Sequence, residues 1–231
     1  MNGTSAWITG HVFPAFCALE SEGGGGNEAD QLKAVIASLL KDNARFMESH
    51  GSEYFKAVAT GQHPRATVVT CSDSRVQIHA MDQIPDGDLF VVRNIGNQLA
   101  TAEGSVEYGV RHLHTPLLIF VGHSDCGAIE AASKDYSREP SVVQRELDTI
   151  KIMKGVSNID GVRANLNNQV SRAMMKYAKE VREGELTIVA AVYDFRNDLG
   201  RGQGKLVIVN VNGETDEAGI RQAGLFGPAE E

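Results

Sequence analysis

The sequence is poor in cysteine, tryptophan and proline, and it contains no long apolar run. Its 231 residues include 3 Cys, 1 Trp and 6 Pro. Because three is a small, odd number for a chain of this size, a disulfide framework is excluded, and we expect reduced thiols or thiolates committed to a metal. No stretch approaches the roughly 18 apolar residues that a membrane-spanning helix needs. The sequence therefore predicts no membrane span.

Basic residues are also scarce relative to acidic ones. The chain has 22 Lys and Arg against 30 Asp and Glu, a net charge of −8. Such a balance excludes a broad basic surface, and we predict no nucleic-acid partner. The apolar fraction of 42% and the length suit one compact domain. We predict a flexible N-terminal arm of residues 1–27, ending in four glycines, and a single domain of residues 28–231.

The N-terminal segment bears on cellular location. Residues 6–19 are mildly apolar, but they include His11 and Pro14, and no Lys or Arg precedes them. A secretory signal would begin with basic residues. We therefore expect a cytoplasmic protein, with an exported or periplasmic one as the alternative if this segment is a signal or its remnant.

A strongly amphipathic helix is predicted directly after the arm. Its apolar residues recur at helical spacing and are Leu32, Val35, Ile36, Leu39, Leu40 and Phe46. Asp30 is the expected N-cap. A second short helix is predicted over residues 53–59, so the pair would form an extended helical arm.

Beyond these helices the pattern changes to buried strands alternating with helices. The predicted strands are residues 66–71, 89–92, 117–121, 186–192 and 206–211, and the helices lie near 102–113, 142–153 and 165–182. This alternation indicates an α/β fold with a mainly parallel sheet of about five strands flanked by helices. The turn at 198–204 is too short for a helix, so the last strand should be antiparallel.

Two short segments carry reactive side chains at predicted strand ends. Cys71-Ser72-Asp73-Ser74-Arg75 begins at the end of the first strand, and His123-Ser124-Asp125-Cys126-Gly127 follows the third. The carboxyl ends of strands form the ligand crevice of an open α/β sheet. If these strands are neighbours, two thiols and one imidazole converge. That set suits zinc, and three protein ligands leave the open position of a catalytic site.

Simpler interpretations exist for each segment taken alone. A cysteine at a strand end is commonly a small buried apolar residue. An Asp–Arg pair commonly caps a loop. A dithiol redox site is disfavoured because the sequence has no Cys-x-x-Cys. A serine hydrolase built on Ser124 and Asp125 is disfavoured because no Gly-x-Ser-x-Gly motif is present.

Together, Cys-x-Asp-Ser-Arg and His-x-x-Cys-Gly resemble the motifs of the β-class carbonic anhydrases. The resemblance is most specific over residues 62–131 and looser from 32 to 211. It implies one Zn²⁺ per chain, held by Cys71, His123 and Cys126, with Asp73 and Arg75 as the catalytic polar dyad. It also implies reversible hydration of carbon dioxide to bicarbonate and a proton, by attack of zinc-bound hydroxide.

The resemblance further implies a substrate pocket. Its residues would be Gln62, Phe90, Ile95, Tyr108 and Gly127. Val68 stands where bicarbonate-inhibited members carry tryptophan, which is typical of the plant-type, non-allosteric subgroup. Because the family completes its site across a subunit interface, we expect at least a homodimer, with a tetramer as the alternative.

The same chemistry suggests a switch. Asp73 would orient the nucleophile while Arg75 keeps it ionised and off the metal. Without Arg75, Asp73 could become the fourth zinc ligand of a closed state, and activity should fall toward acid pH. Two alternatives remain open: hydrolysis of carbonyl sulfide or carbon disulfide at the same site, and a catalytically silent, zinc-stabilised subunit.

Overall fold

A computed structural model describes residues 28–224. The chain divides into two compact units, the first ending at Ala59 and the second beginning at Thr60. The predicted arm of residues 1–27, with Cys17 and the segment 6–19, lies outside the described residues. The predicted domain boundary at residue 28 therefore stays a prediction. Within residues 28–224, no helix combines the length and the apolar character that a bilayer crossing requires.

The first unit contains the two predicted helices, α1 (Glu28–Ser49) and α2 (Ser52–Val58). Helix α1 begins earlier than predicted, so Asp30 is not its N-cap: it lies in the first turn and pairs with Lys33 at 3.1 Å. Neither helix has a buried residue. The apolar stripe of α1 is therefore exposed, with Leu39 and Leu40 both 66% accessible.

The second unit is built on a five-stranded sheet. Its strands are β1 (Ala66–Cys71), β2 (Leu89–Asn94), β3 (Leu117–His123), β4 (Thr187–Asp194) and β5 (Lys205–Val211), in the order β2-β1-β3-β4-β5. The first four pair in parallel, and β5 runs antiparallel to β4. The predicted α/β fold with an antiparallel last strand is thus confirmed.

Helices connect and flank the strands. They are α3 (Glu103–Glu107), a π-helical turn (Tyr108–His112), α4 (Gly127–Ala132), α5 (Ser141–Leu147), α6 (Asn158–Lys176), α7 (Ala178–Arg182) and α8 (Glu217–Gln222), with a 3₁₀ turn at Ile78–Ala80. The helix predicted over 142–153 was too long. Helix α5 stops at Leu147 because Thr149 turns inward, where its hydroxyl donates to Glu146 O at 2.7 Å and approaches Gln98 Oε1 at 3.2 Å.

Helix α6 starts before the predicted residue 165 because Ser157 caps it, accepting a hydrogen bond from the backbone N–H of Asp160. It contacts β3 and β4 and buries a face that includes Val162 and Leu166. Gly122 on β3 allows this approach, since a Cβ there would lie 2.8 Å from Val162 Cγ1. The first turn of α6 is part of the support for the strand-end segments described next.

Candidate metal centre

The sheet brings the two sequence segments to one edge. Strands β1 and β3 are parallel neighbours, with Thr70 opposite Val121. Cys71 ends β1 and His123 ends β3, so both face the crevice at the carboxyl edge. Cys126 follows as the N-cap residue of α4. Parallel pairing thus unites residues that are far apart in sequence.

Cys71, His123 and Cys126 form a buried cluster. Their candidate ligand atoms all lie within 4.8 Å of one another. The Nδ1 of His123 lies 2.9 Å from the carbonyl oxygen of Ser124, and since a carbonyl only accepts, Nδ1 carries the proton. The Nε2 of His123, fully buried, has no hydrogen-bond partner among the described residues. A buried imidazole with one nitrogen oriented and the other free has the arrangement of a metal ligand.

The two thiols differ in their protonation. A hydrogen bond from Cys126 lowers the pKa of Cys71 to about 4, helped by the backbone N–H groups of Gly96 and Asp73. The same contact, with burial, raises the pKa of Cys126. The two adjacent thiols therefore readily lose one of their two protons and keep the other. Displacing the remaining proton is the ordinary consequence of binding a metal at thiolates.

These donors fit zinc. Zinc takes sulfur ligands at about 2.3 Å and nitrogen ligands at about 2.0 Å in a tetrahedron. Such bond lengths require donor atoms a few ångströms apart, as the 4.8 Å limit on the cluster allows. Three protein donors, one of them the unpartnered imidazole nitrogen, match the ligand set of an open, catalytic zinc site.

An aspartate–arginine dyad lies beside the cluster. The Arg75 Nε and Nη2 donate to the two carboxylate oxygens of Asp73 at 3.0 and 2.8 Å, and the Arg75 backbone N–H adds a bond of 2.9 Å. These bonds lower the pKa of Asp73 to about 2. Asp73 Oδ2 lies 3.9 Å from the free Nε2 of His123. An ionised carboxylate therefore adjoins the metal position without occupying the ligand cluster.

Several supporting residues were not identified from the sequence. Asn158, in the first turn of α6, accepts from the Cys126 backbone N–H and donates to its carbonyl, both at 3.0 Å. Gly96 has φ of +75°, a conformation suited to glycine, and its N–H points at the Cys71 sulfur. Neither position carries a motif of its own. A glycine just after a strand was the available signal for Gly96.

A buried amide network surrounds Gly96. Gln98 donates to the Gly96 carbonyl and, at 3.0 Å, to Asn165 Oδ1, while Gln169 donates to Gln98 Oε1 at 3.0 Å. Gln169 also accepts from the Leu99 backbone N–H at 2.9 Å. The glutamines and Asn165 are almost wholly buried. This network ties the segment after β2 to helix α6.

The predicted pocket residues do not all lie together. Ile95, next to Gly96, packs against the buried core that includes Cys71. Gly127 begins α4 directly after Cys126, and a Cβ there would meet nothing within 4 Å, so the described fold does not itself require glycine at this position. Gly127 adjoins Cys126 in the sequence, and Ile95 directly follows Asn94, the β2 residue paired with Cys71.

Phe90, Tyr108 and Gln62 lie elsewhere. Phe90 is paired in register with Thr67, near the amino end of β1, and its ring centre is 5.8 Å from that of Tyr108. At about 3.3 Å per residue, Thr67 is on the order of 13 Å from Cys71. Gln62 is exposed and precedes β1. One chain therefore does not assemble these three residues around its own cluster.

Two cavities in the second unit lie away from the cluster. One of about 490 Å³ borders β5 and is lined by residues including Arg163, Arg201 and Lys205. The other, of about 580 Å³, is lined by residues including Arg111 and Glu180. Neither cavity is lined by Cys71, His123 or Cys126, so cavity volume does not identify the chemical site here.

Comparison with known proteins agrees with the geometry. A family model described as carbonic anhydrase matches residues 66–201. A carbonic anhydrase of Mycolicibacterium smegmatis is 34% identical, over 69% of this chain and 87% of the relative. The β-carbonic anhydrase CcaA superposes with a TM-score of 0.64 at 24% identity, covering 78% of this chain and 88% of that one. Tetrameric β-carbonic anhydrases of Sordaria macrospora give 0.62 at 22% identity, with coverages of 78% and 98%. The chain belongs to the β-class carbonic anhydrase family.

Proposed function

We propose that this protein catalyses the reversible hydration of carbon dioxide to bicarbonate and a proton, as a zinc-dependent lyase. The observation that carries the proposal is the free, buried Nε2 of His123 facing two thiols, with an ionised Asp73 3.9 Å away. Zinc held by Cys71, His123 and Cys126 would supply a nucleophile near neutral pH, by lowering the pKa of a water molecule.

Asp73 would orient that nucleophile. Its Oδ2 lies 3.9 Å from the Nε2 of His123, and as a carboxylate it only accepts hydrogen bonds. It can therefore fix the direction of a donated proton and leave a lone pair of the attacking oxygen for carbon dioxide. Arg75 keeps Asp73 ionised and turned away from the ligand position, through two side-chain bonds. Loss of these two bonds would allow Asp73 to become the fourth zinc ligand of a closed state.

The substrate would meet a different set of groups. Ile95 supplies an apolar surface for carbon dioxide, which has no strong hydrogen-bonding requirement. The backbone N–H of Gly127 would meet the negative charge that develops on bicarbonate oxygen. A Cβ at position 127 would meet no protein atom within 4 Å. This open space beside Gly127 is consistent with close approach by the substrate.

Gln62, Phe90 and Tyr108 would serve the site of a second copy. Their placement toward the amino end of β1 supports this, because they are too far from Cys71 to act in their own chain. We therefore propose a homodimer as the smallest active form. The tetrameric assembly of the Sordaria macrospora relatives makes a tetramer the natural alternative. The exposed apolar stripe of α1 offers surface for such assembly.

We also place the protein in the plant-type, non-allosteric subgroup. Val68 lies inside β1 at 3% exposure, where the bicarbonate-inhibited members carry tryptophan. Inhibition by bicarbonate without cooperativity would support this assignment, and a steep, cooperative loss of activity would contradict it.

Stopped-flow carbon dioxide hydration across pH 6–9, with zinc assayed on the same sample, tests the function. Fast hydration, rising with pH, at about one zinc per chain is the expected result. Full zinc occupancy without hydration would overturn the proposal. In that case carbonyl sulfide and carbon disulfide would be offered next, and inertness toward them would leave the silent, zinc-stabilised subunit.

A further inference from the structure

The aspartate–arginine dyad continues into a longer row of charges. The Nη1 of Arg75 donates to Asp125 Oδ2 at 3.0 Å, and its Nη2 donates to the Asp125 carbonyl at 2.9 Å. The other oxygen of Asp125 accepts from Arg196 Nη1 at 3.1 Å. The row therefore runs from Asp73 through Arg75 and Asp125 to Arg196. Only its first two members belong to the proposed catalytic dyad.

Asp125 occupies an unusual backbone position. It lies between the ligands His123 and Cys126, and its φ is +54°, in the left-handed region. A residue other than glycine is uncommon there, although aspartate is among the best tolerated. Its carboxylate is about half exposed, yet it contacts two arginines. The backbone conformation thus aims a carboxylate at the far edge of the Arg75 guanidinium.

The turn that carries Arg196 is anchored by a buried pair, Ser124 and Asp194. Asp194, wholly buried at the end of β4, accepts a 2.6 Å bond from the Ser124 hydroxyl. It also accepts from the backbone N–H groups of Asp198 and Leu199 at 2.8 and 2.7 Å. These bonds pin the turn after β4 to the end of β3.

The pinned turn presents two side chains to the row. The guanidinium carbon of Arg75 lies 5.1 Å from the centre of the Phe195 ring, and Arg196 reaches Asp125. Arg196 is further flanked by Asp198, at 3.5 Å from its Nε. Arg75 is therefore held on three sides: by Asp73, by Asp125 and by an aromatic ring.

We propose that Asp125 and Arg196 are positioning residues that hold Arg75 in the orientation from which it grips Asp73. The Nε and Nη2 of Arg75 serve Asp73, and Nη1 is held by Asp125, which fixes the plane of the guanidinium. Arg196 acts through Asp125, whose half-exposed carboxylate it immobilises. The inference rests on the proposed function, because it concerns the orientation of the same dyad.

The first test compares Asp125→Gly with Asp125→Asn. Glycine suits the positive φ, so this variant removes the carboxylate without adding strain. We expect kcat to fall roughly threefold to tenfold, about the net contribution of one hydrogen bond at a half-exposed site, with KM little changed. Asparagine keeps an oxygen that can accept from Arg75 Nη1 and tolerates the same φ, so it should restore most of kcat.

The second test asks whether Arg196 acts through Asp125. Arg196→Gln should lower kcat by a smaller factor, and Arg196→Lys should retain most of it. The double variant Asp125→Gly, Arg196→Gln should be no slower than Asp125→Gly alone, because the path through Asp125 is already broken. Arg201→Gln is the matched control, since Arg201 lies on the same turn but pairs with Glu217. It should leave kcat unchanged.

A spectroscopic measurement distinguishes a positioning role of Asp125 from a general loss of structure. With cobalt in place of zinc, the visible absorption reports the ligand set of the metal. We expect Asp125→Gly to shift this spectrum by letting Asp73 approach the metal, and adding Asp73→Asn should abolish the shift. Wild-type kcat and spectrum in both Asp125→Gly and Arg196→Gln would overturn the inference while leaving the proposed function intact. A wild-type protein without hydration would instead sink the proposed function, and the cobalt spectra would still test the positioning.

Discussion

The two ends of the parallel strands carry opposite kinds of side chain. At the carboxyl end, Cys71 and His123 are buried, polar and convergent, and Asp73 adjoins them as an ionised carboxylate. At the amino end, Phe90 and Tyr108 form an aromatic pair of which Tyr108 is 43% exposed. The first end has a cluster of three metal donors, and the second has an aromatic pair. Under the proposed function, each end supplies what the other lacks.

Strand geometry explains why one chain cannot combine them. A six-residue strand such as β1 is about 17–20 Å long, so side chains at its two ends cannot contact the same small molecule. Combining the two ends requires a second copy whose amino end faces the first copy's carboxyl end. A two-fold axis achieves this for both sites at once. Substitutions made at one end at a time test this division between the two ends.

The largest effect should follow loss of a metal donor at the carboxyl end. His123→Ala removes the free, buried Nε2, and Cys71→Ser removes one of the two thiols of the cluster. Loss of an outer-shell partner alone costs about 10- to 100-fold in affinity or activity. We expect a donor loss to exceed about 100-fold, measured by zinc content and by stopped-flow hydration. Cys17→Ser is the control and should retain both zinc and rate.

Removing the charge of Asp73 should have the next largest effect. Asp73→Asn keeps the shape but loses an acceptor oxygen and the ion pair with Arg75. A positioned proton-handling group contributes roughly 10²- to 10⁴-fold, and we expect kcat to fall within that range while zinc stays bound. Asp148→Asn is a matched control, because Asp148 is an exposed aspartate that accepts from Tyr136. A wild-type rate in Asp73→Asn would remove Asp73 from the mechanism.

A mixed dimer tests the division between the two ends directly. Gln62→Ala damages the amino end and His123→Ala the carboxyl end, so a dimer of one of each has one site with both defects and one intact site. In the purified mixed dimer one of the two sites is intact, so about half of wild-type activity should return. Co-expression with two affinity tags and a hydration assay of the purified mixed species measures this.

The result is interpretable in either direction. Recovery above both parents would place Gln62 in the partner's site. Activity equal to the mean of the two parents would mean that Gln62 acts in its own chain or not at all, and the two ends would then be functionally independent.

The sheet and the ligand cluster were predictable from the sequence because both depend on local patterns. β-branched runs marked the strands, and a turn without room for a helix predicted that β5 is antiparallel, which the structure confirms. Parallel pairing then forces Cys71 and His123 to the same edge. Their convergence needed only the assumption that β1 and β3 are neighbours, and they are.

Other features depend on contacts between distant residues, which no local pattern reveals. Asn158 clamps Cys126, and Arg196 reaches Asp125 across the end of the sheet. Helix α5 ends early because Thr149 is drawn to Gln98, a partner far away in sequence. The pocket residues Phe90 and Tyr108 were predicted by resemblance, which did not indicate that they pair with each other at the opposite end from Cys71.

The smallest expected effect concerns the support of the carboxyl end. Gly96→Ala would place a methyl group 2.8 Å from Ile150 Cδ1 and force a non-glycine residue to φ of +75°. Strain of this kind costs about 1–3 kcal/mol, which urea unfolding would measure. Gly87→Ala is a matched control, because Gly87 also has positive φ, +79°, but meets nothing within 4 Å. The difference between the two variants isolates the steric contribution.

If the backbone N–H of Gly96 also supports the Cys71 thiolate, Gly96→Ala should lose zinc faster to a chelator, while Gly87→Ala should not. Equal rates would limit Gly96 to a packing role.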